Sequence, residues 1–297
     1  MDFKNIGGNI NMNDLRDILD TAVLNVTMGY NGKVGLLLSG GLDSLSVLLA
    51  CLDVGIKPTC YTFYLEGNES DDLKSCKKIA NIFDLKLVEI PLKFTSRSLL
   101  DDCKVLIANN FGDKYFKNHI KTCVQTQVLM KYVPHYVEEK IVLTGLNADD
   151  LQFNTKAYGK MSADKSAEGI KKLNEARYED TNDMRRGSYI YFQQMFANSG
   201  IVFVDVYRVQ EVMDFFYAKS YKECTSPKTK YQTYLAFRDE LETYELYRKP
   251  SSFQVNSGTR ELFEELLTND PKINVNQYKT CVGILNDVYR DIERSRT

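Results

Sequence analysis

From residue 33 to 38 the chain reads Lys-Val-Gly-Leu-Leu-Leu, bounded by Asn31-Gly32 in front and by the pair Gly40-Gly41 behind. A short apolar run between turn signals is how a strand buried on both faces looks. The unit then recurs. Residues 44–54 carry the apolar spacing of a helix that Gly55 and Pro58 end, and 58–65 read as a second strand. A helix over 71–83, a strand over 85–90, helices near 98–110 and 118–133, and strands over 141–145 and 201–205 follow. Strands alternating with helices build βαβ units, which form a parallel sheet covered on both faces. The expected fold class is α/β, a doubly wound and mainly parallel sheet.

The flanks read differently. Leu15, Ile18, Leu19, Ala22, Val23 and Val26 recur at helical spacing, so an opening helix is expected over 13–28, capped by Asn13 or Asp14. Residues 154–188 are polar and charged, which predicts a loop followed by an exposed helix. An aromatic-rich stretch over 188–197 predicts a core helix, and the patterns after Arg208 are helical. The expected organisation is a helical segment at 1–30, an α/β core at 31–206 and a helical C-terminal part at 207–297.

Composition narrows the function. Lys and Arg total 38 against 40 Asp and Glu, a formal net charge of −2. Proteins that clamp nucleic-acid phosphates usually carry a basic excess, so nucleic acid is not the expected partner. No apolar run approaches the ~20 residues that span a bilayer, and the first residues lack the basic and apolar regions of a signal peptide. No membrane association is expected, and the expected location is the cytoplasm. The seven cysteines are scattered without a C-x-x-C pair, and only His119 and His135 are present, which disfavours a zinc site or a redox motif.

The chemistry points to Ser39-Gly40-Gly41-Leu42-Asp43-Ser44, where the first strand turns into a helix. A ligand in a doubly wound sheet lies outside the carboxyl ends of its strands. Two glycines let the backbone approach an anion, Ser39 and Ser44 offer hydroxyls, and the N–H groups opening the helix complete a phosphate cradle. No Lys follows the glycines as in G-x-x-x-x-G-K-[ST], and the spacing is not G-x-G-x-x-G. A glycine-rich turn with no ligand is the plain alternative.

This hexapeptide resembles the PP-loop of the N-type ATP pyrophosphatases, enzymes that break ATP between the α and β phosphates. Within that family the chain is most similar to the synthetase domain of asparagine synthetase, in order over residues 30–255. The run from Phe63 to Asp72 resembles that domain's second-strand segment, and Val142 to Asp150 its T-G-E-G-A-D-E segment. Phe203-Val204-Asp205 is similar to its P-F-L-D, and Tyr247 to Phe253 to its R-x-K-x-x-F. The resemblance implies an adenine nucleotide alpha hydrolase-like fold with ATP and Mg²⁺ as cofactors. It implies that Ser39, Gly40, Gly41, Asp43 and Ser44 hold the β and γ phosphates, and that Asp43 and Asp149 ligate the metal. Leu37, Leu65 and Gly145 would face adenosine, Thr144 would join the ATP and pyrophosphate site, and Lys249 would neutralise the leaving pyrophosphate.

Two departures qualify the resemblance. The family's glutamate after T-G is Leu146 here, and Leu cannot move a proton; Glu175 or Glu179 is the replacement the sequence offers, with Glu179 taken as the catalytic candidate. Residue 2 is Asp rather than the Cys nucleophile that opens the glutaminase domain, so ammonia, another amine or a separate glutaminase is expected to supply nitrogen. The expected function is an ATP-dependent, AMP-forming ligase that adenylates a small carboxylate or a nucleotide substrate and passes it to an amine. Nucleobase or tRNA modification on the same fold, and a nucleotide-binding module without catalysis, are the alternatives.

Overall fold

The computed structural model describes residues 14–67, 69–248, 265 and 281–296. Its opening helix, α1 (Leu15–Thr27), is capped by the Asp14 side chain and buries Leu15, Ile18, Leu19, Ala22 and Val23. Then come β1 (Gly35–Leu37), α2 (Leu42–Asp53), β2 (Thr59–Leu65), α3 (Asp71–Ile82) and β3 (Leu87–Leu92). Three helices, α4 (Ser96–Asn109), α5 (Lys114–Asn118) and α6 (Ile120–Met130), precede β4 (Ile141–Thr144). Between β4 and β5 (Val202–Asp205) lie α7 (Ala148–Leu151), α8 (Lys156–Met161), α9 (Ala167–Asn182) and α10 (Tyr189–Ala197). After β5 come α11 (Gln210–Tyr217), α12 (Tyr221–Thr225), α13 (Tyr231–Ala236), α14 (Arg238–Thr243) and a last described helix, α15 (Cys281–Arg296).

All strand pairs are parallel, in the order β3-β2-β1-β4-β5. The chain adds β2 and β3 on one side of β1, then β4 and β5 on the other. The switch point therefore lies between β1 and β4, where a doubly wound sheet opens its ligand crevice. Gly35 pairs with both Thr59 and Val142, and a Cβ there would sit 2.9 Å from a Val142 methyl.

One hydrophobic cluster joins the opening helix, the sheet and the later helices: Leu19 and Val23, Leu36, Leu45 and Leu143, then Val212, Phe216, Phe237 and Leu246. A second cluster packs α15 on α4 and α6 through Ile284, Leu285 and Tyr289. Among the described residues no helix is long and apolar enough to cross a membrane.

Three expectations need correction. Residues 156–161 are not loop but α8, because Tyr158 is fully buried and drives that turn into the core. The helix expected over 118–133 breaks at His119. The helix expected from Ser44 begins at Leu42, so Asp43 and Ser44 stand in its first turn rather than ahead of it.

Candidate active site

Strand β1 delivers the glycine loop to the carboxyl edge of the sheet. Gly40 takes φ +69, a left-handed conformation that costs an L side chain, and a Cβ there would lie 2.7 Å from Ser75 Cβ. Ser75 itself donates to the Gly40 carbonyl at 3.2 Å, so α3 braces the loop from behind. Gly41 is the N-cap of α2 with φ −87, and it offers no side chain to the helix's first N–H groups. Those donors remain for an anion. Ser39 and Ser44 close the loop on itself, with 3.0 Å between their hydroxyls and a 3.1 Å bond from Ser39 N to Ser44 Oγ.

The loop after β4 meets the loop after β1. A Cβ on Gly145 would lie 2.6 Å from the Asp43 carbonyl oxygen, so only glycine permits the approach. Leu37, Thr144 and Gly145 thus flank the loop at neighbouring strand ends, while Leu65 ends the longer β2, four residues beyond the Tyr61 that pairs with Leu37. Leu146 is 39% exposed beside them.

Two carboxylates converge here with a lysine that sequence reasoning did not single out. Lys230 Nζ lies 2.5 Å from Asp43 Oδ2 and 2.7 Å from Asp149 Oδ1. The Lys230 side chain is 6% exposed and that of Asp149 50%, so the ammonium is sequestered while the pair opens to solvent through Asp149. Burial acts to lower the Lys230 pKa, but the charges of Asp43 and Asp149 outweigh it and hold the ammonium above the ordinary lysine value. Burial raises the Asp43 carboxyl to about 6; Lys230 opposes that rise and Asp149 adds to it. Asp43 Oδ1 is buried with no hydrogen-bond partner.

A polar chain fixes α13, the helix that Lys230 opens, against α2 and the loop after β4. Ser46 of α2 bonds Tyr207 Oη at 2.8 Å, Tyr207 meets Thr233 of α13 at 3.3 Å, and Thr233 donates to Gln152 Oε1 at 2.8 Å. Lys230 is the N-cap of α13, with φ +57. The sequence pattern had run it into the helix as one more polar position. The available signal was the Pro227-Lys228-Thr229-Lys230 stretch opening an aromatic helix, and it carries no chemistry without its distant partners.

Beyond Asp149 the wall is built by charge. Arg186 bridges Asp150 at 3.3 Å and Asp180 at 2.9 Å, and Tyr158 donates to Asp180 at 2.6 Å. Burial raises the Asp150 pKa, and Arg186 opposes the rise. Asp205, at the end of β5, accepts from Asn147 N at 2.9 Å and Tyr207 N at 3.2 Å, tying the loop after β4 to the edge strand. Burial lifts its carboxyl to about 7, with Arg208 and these amides opposing.

The structure does not bring every candidate together. Glu175 and Glu179 are exposed on α9, where they line a shallow depression with Lys171, Asn174 and Tyr178. The carboxylate this helix commits to the wall is Asp180. Lys249 lies outside the described residues.

The acidic pair fits a hard cation. Mg²⁺ is usually held by one or two carboxylates together with substrate phosphates rather than by an all-protein cage. Among the described residues no group of three or more His, Cys, Asp or Glu forms such a cage. The unpartnered Asp43 Oδ1 supplies a free ligand oxygen.

The family described as asparagine synthase matches residues 14–269. This chain belongs to it. The asparagine synthase match spans both α1 and the α13 segment that carries Lys230, and it makes the chain an adenine nucleotide alpha hydrolase-like ATP pyrophosphatase domain. No curated protein matches. Among solved structures the chain is similar to a U34-tRNA thiolase, NcsA, from Methanococcus maripaludis with its 4Fe–4S cluster, at 14% identity and TM-score 0.37, covering 95% of this chain and 78% of that one. It is also similar to NMN synthetase from Francisella tularensis, at 15% identity and TM-score 0.33, covering 80% and 98%. A predicted subunit of tRNA methyltransferase from Methanocaldococcus jannaschii matches at 14% identity and TM-score 0.33, covering 74% and 93%.

Proposed function

We propose that this asparagine synthase family member is an AMP-forming ligase that activates a small carboxylate and hands it to ammonia or another amine. The observation that carries the reading is the meeting of Asp43, Asp149 and Lys230 against a glycine loop at the sheet's switch point. A carboxylate oxygen of the substrate bonds to the α phosphorus, and the bond from that phosphorus to the bridging oxygen breaks, leaving its electron pair on pyrophosphate. The uncapped N–H groups of α2 with the Ser39 and Ser44 hydroxyls hold the β and γ phosphates. Asp43 and Asp149 would hold Mg²⁺, which supplies charge neutralisation at the phosphate oxygens when bound. Lys230 adds a sequestered cation beside the glycine loop, where it stabilises charge that grows on the leaving group.

In the second half-reaction the amine nitrogen bonds to the acyl carbon, the bond to AMP breaks with its electron pair left on the phosphate oxygen, and the surplus proton on nitrogen passes to that departing phosphate or to water. Leu146, in the loop after β4, has no group that can take that proton. Attack needs the nitrogen lone pair and no described side chain takes a proton from an incoming ammonium, so the amine enters neutral, either from solution or from a separate glutaminase, and the rate of capture rises with pH toward the amine's own pKa.

The test is exchange of labelled pyrophosphate into ATP with Mg²⁺ and a panel of small carboxylates, together with AMP measurement. Wild-type protein should form AMP, and Asp43→Ala should lower exchange by roughly 10²–10³-fold, as for a lost electrostatic group in a preorganised site. Release of ADP would overturn the ligase reading. Nucleotide binding with neither exchange nor AMP would make the chain a binding module.

A further inference from the structure

Resting on the metal assignment just made, we propose that Lys230 is a built-in counter-ion that occupies the cation position between Asp43 and Asp149 and must be displaced before the site loads. Its ammonium lies within hydrogen-bond distance of one oxygen of each carboxylate, so it occupies the bridging place of a divalent cation. Nothing else described neutralises the two together: Asn154 gives Asp149 a neutral hydrogen bond at 2.7 Å, and Asp43 Oδ1 has no partner. Arg186, the next cation, is spent on Asp150 and Asp180. The Lys230 side chain is 6% exposed, so this is not an incidental surface pairing.

Local structure supports displacement rather than permanent pairing. Lys230 carries a left-handed φ of +57 at the start of the six-residue α13. A non-glycine residue persists there only because its surroundings over-determine it. Thr233 and Tyr207 anchor α13 independently of the Lys230 side chain, so that chain can swing while the helix stays. An ammonium leaving the carboxylates meets the glycine loop, where the phosphates of an arriving nucleotide offer it new partners. Metal alone gives the displaced ammonium nowhere to go, because it would then stand buried and unpaired, at high cost. Metal and nucleotide are thus coupled through this chain's own lysine: the nucleotide supplies the anions that release the cation site.

The coupling is measured by Mn²⁺ binding, read by electron paramagnetic resonance or calorimetry without turnover, on the full chain with and without a non-hydrolysable ATP analogue. Wild-type protein should bind Mn²⁺ alone only in the millimolar range. Lys230→Gln, which leaves two uncompensated carboxylates, should bind Mn²⁺ alone at least ten-fold tighter, and Lys230→Arg should bind it no tighter than wild type. Micromolar binding of Mn²⁺ alone by wild-type protein would overturn the proposal whether or not the variants fold. Equal affinity in wild type and a folded Lys230→Gln would overturn the counter-ion while leaving the metal site intact. Failure of the wild-type protein to bind Mn²⁺ even with the analogue, beyond what the analogue alone binds, would overturn both.

Discussion

Gly40→Ala, Gly145→Ala and Gly41→Val separate the architecture of the glycine loop from its use. At Gly40 a side chain meets two costs. The left-handed φ of +69 penalises an L residue by about 1–2 kcal/mol, and the new Cβ would lie 2.7 Å from Ser75 Cβ and 3.1 Å from the Asp72 carbonyl, an overpacking of about 1–3 kcal/mol. Together these reach roughly 2–5 kcal/mol, a melting point lower by roughly 5–15 °C for a chain of this size. At Gly145 the obstruction is the backbone of Asp43, with its carbonyl oxygen at 2.6 Å and carbon at 2.8 Å, and backbone cannot rotate aside as a side chain can. Gly145→Ala should therefore destabilise by about 1–3 kcal/mol and weaken nucleotide binding as well, because α2's first turn must shift away from β4. Gly41 is different. Its φ is −87, and a Cβ there would have only Ser39 Oγ within reach, at 3.4 Å. Gly41→Val should lose about 1 kcal/mol, the difference between a favourable and an unfavourable cap residue, yet bind nucleotide at least ten-fold more weakly. Calorimetric melting and titration with a non-hydrolysable ATP analogue give both quantities. Normal binding by Gly41→Val would reduce the loop to a turn, and equal melting losses at all three glycines would refute the contact-based reasoning.

Two further outcomes are expected. Glu179→Gln, on an exposed stretch of α9, should leave stability within about 0.5 kcal/mol and AMP formation within two-fold, whereas Asp180→Asn should cost about 1.5–3 kcal/mol by breaking its bonds to Tyr158 and Arg186; a large activity loss in Glu179→Gln alone would restore it as the proton acceptor. Asp205, raised to about 7 in the fold, keeps its proton where the unfolded carboxyl has lost its own, so its contribution to stability is whole below about pH 4 and declines as pH rises to about 7, by at most about 1.4 kcal/mol per pH unit; denaturant titrations should show that stretch flattened in Asp205→Asn, and an unchanged slope would contradict the assignment.

The parallel sheet, the helix spacing and the glycine loop were legible in the sequence because each is encoded locally. An apolar run of five or six residues, a glycine pair and a helical repeat keep their meaning without knowledge of distant contacts. Polar composition misled at Tyr158, where one buried aromatic outweighs its charged neighbours and makes a helix of an expected loop. The roles at Glu179 and Lys230 were beyond local reading for one reason. A helix's sequence does not say which of two adjacent carboxylates, Glu179 or Asp180, meets a tyrosine 22 residues earlier. Nor does a lysine 187 residues from Asp43 declare its partner.

The sequence alone determined the strand–helix alternation, the position of the loop at a strand's carboxyl end and the presence of an acidic pair near a later strand. Tertiary structure alone decided that α13 carries Lys230 back to the sheet's switch point, and that Ser46, Tyr207 and Gln152 hold that helix there through Thr233. Hydrophobic periodicity acts over neighbouring turns of chain, whereas an ion pair needs only proximity in space. Burial of the Lys230 side chain is what sets that proximity apart from a surface ion pair.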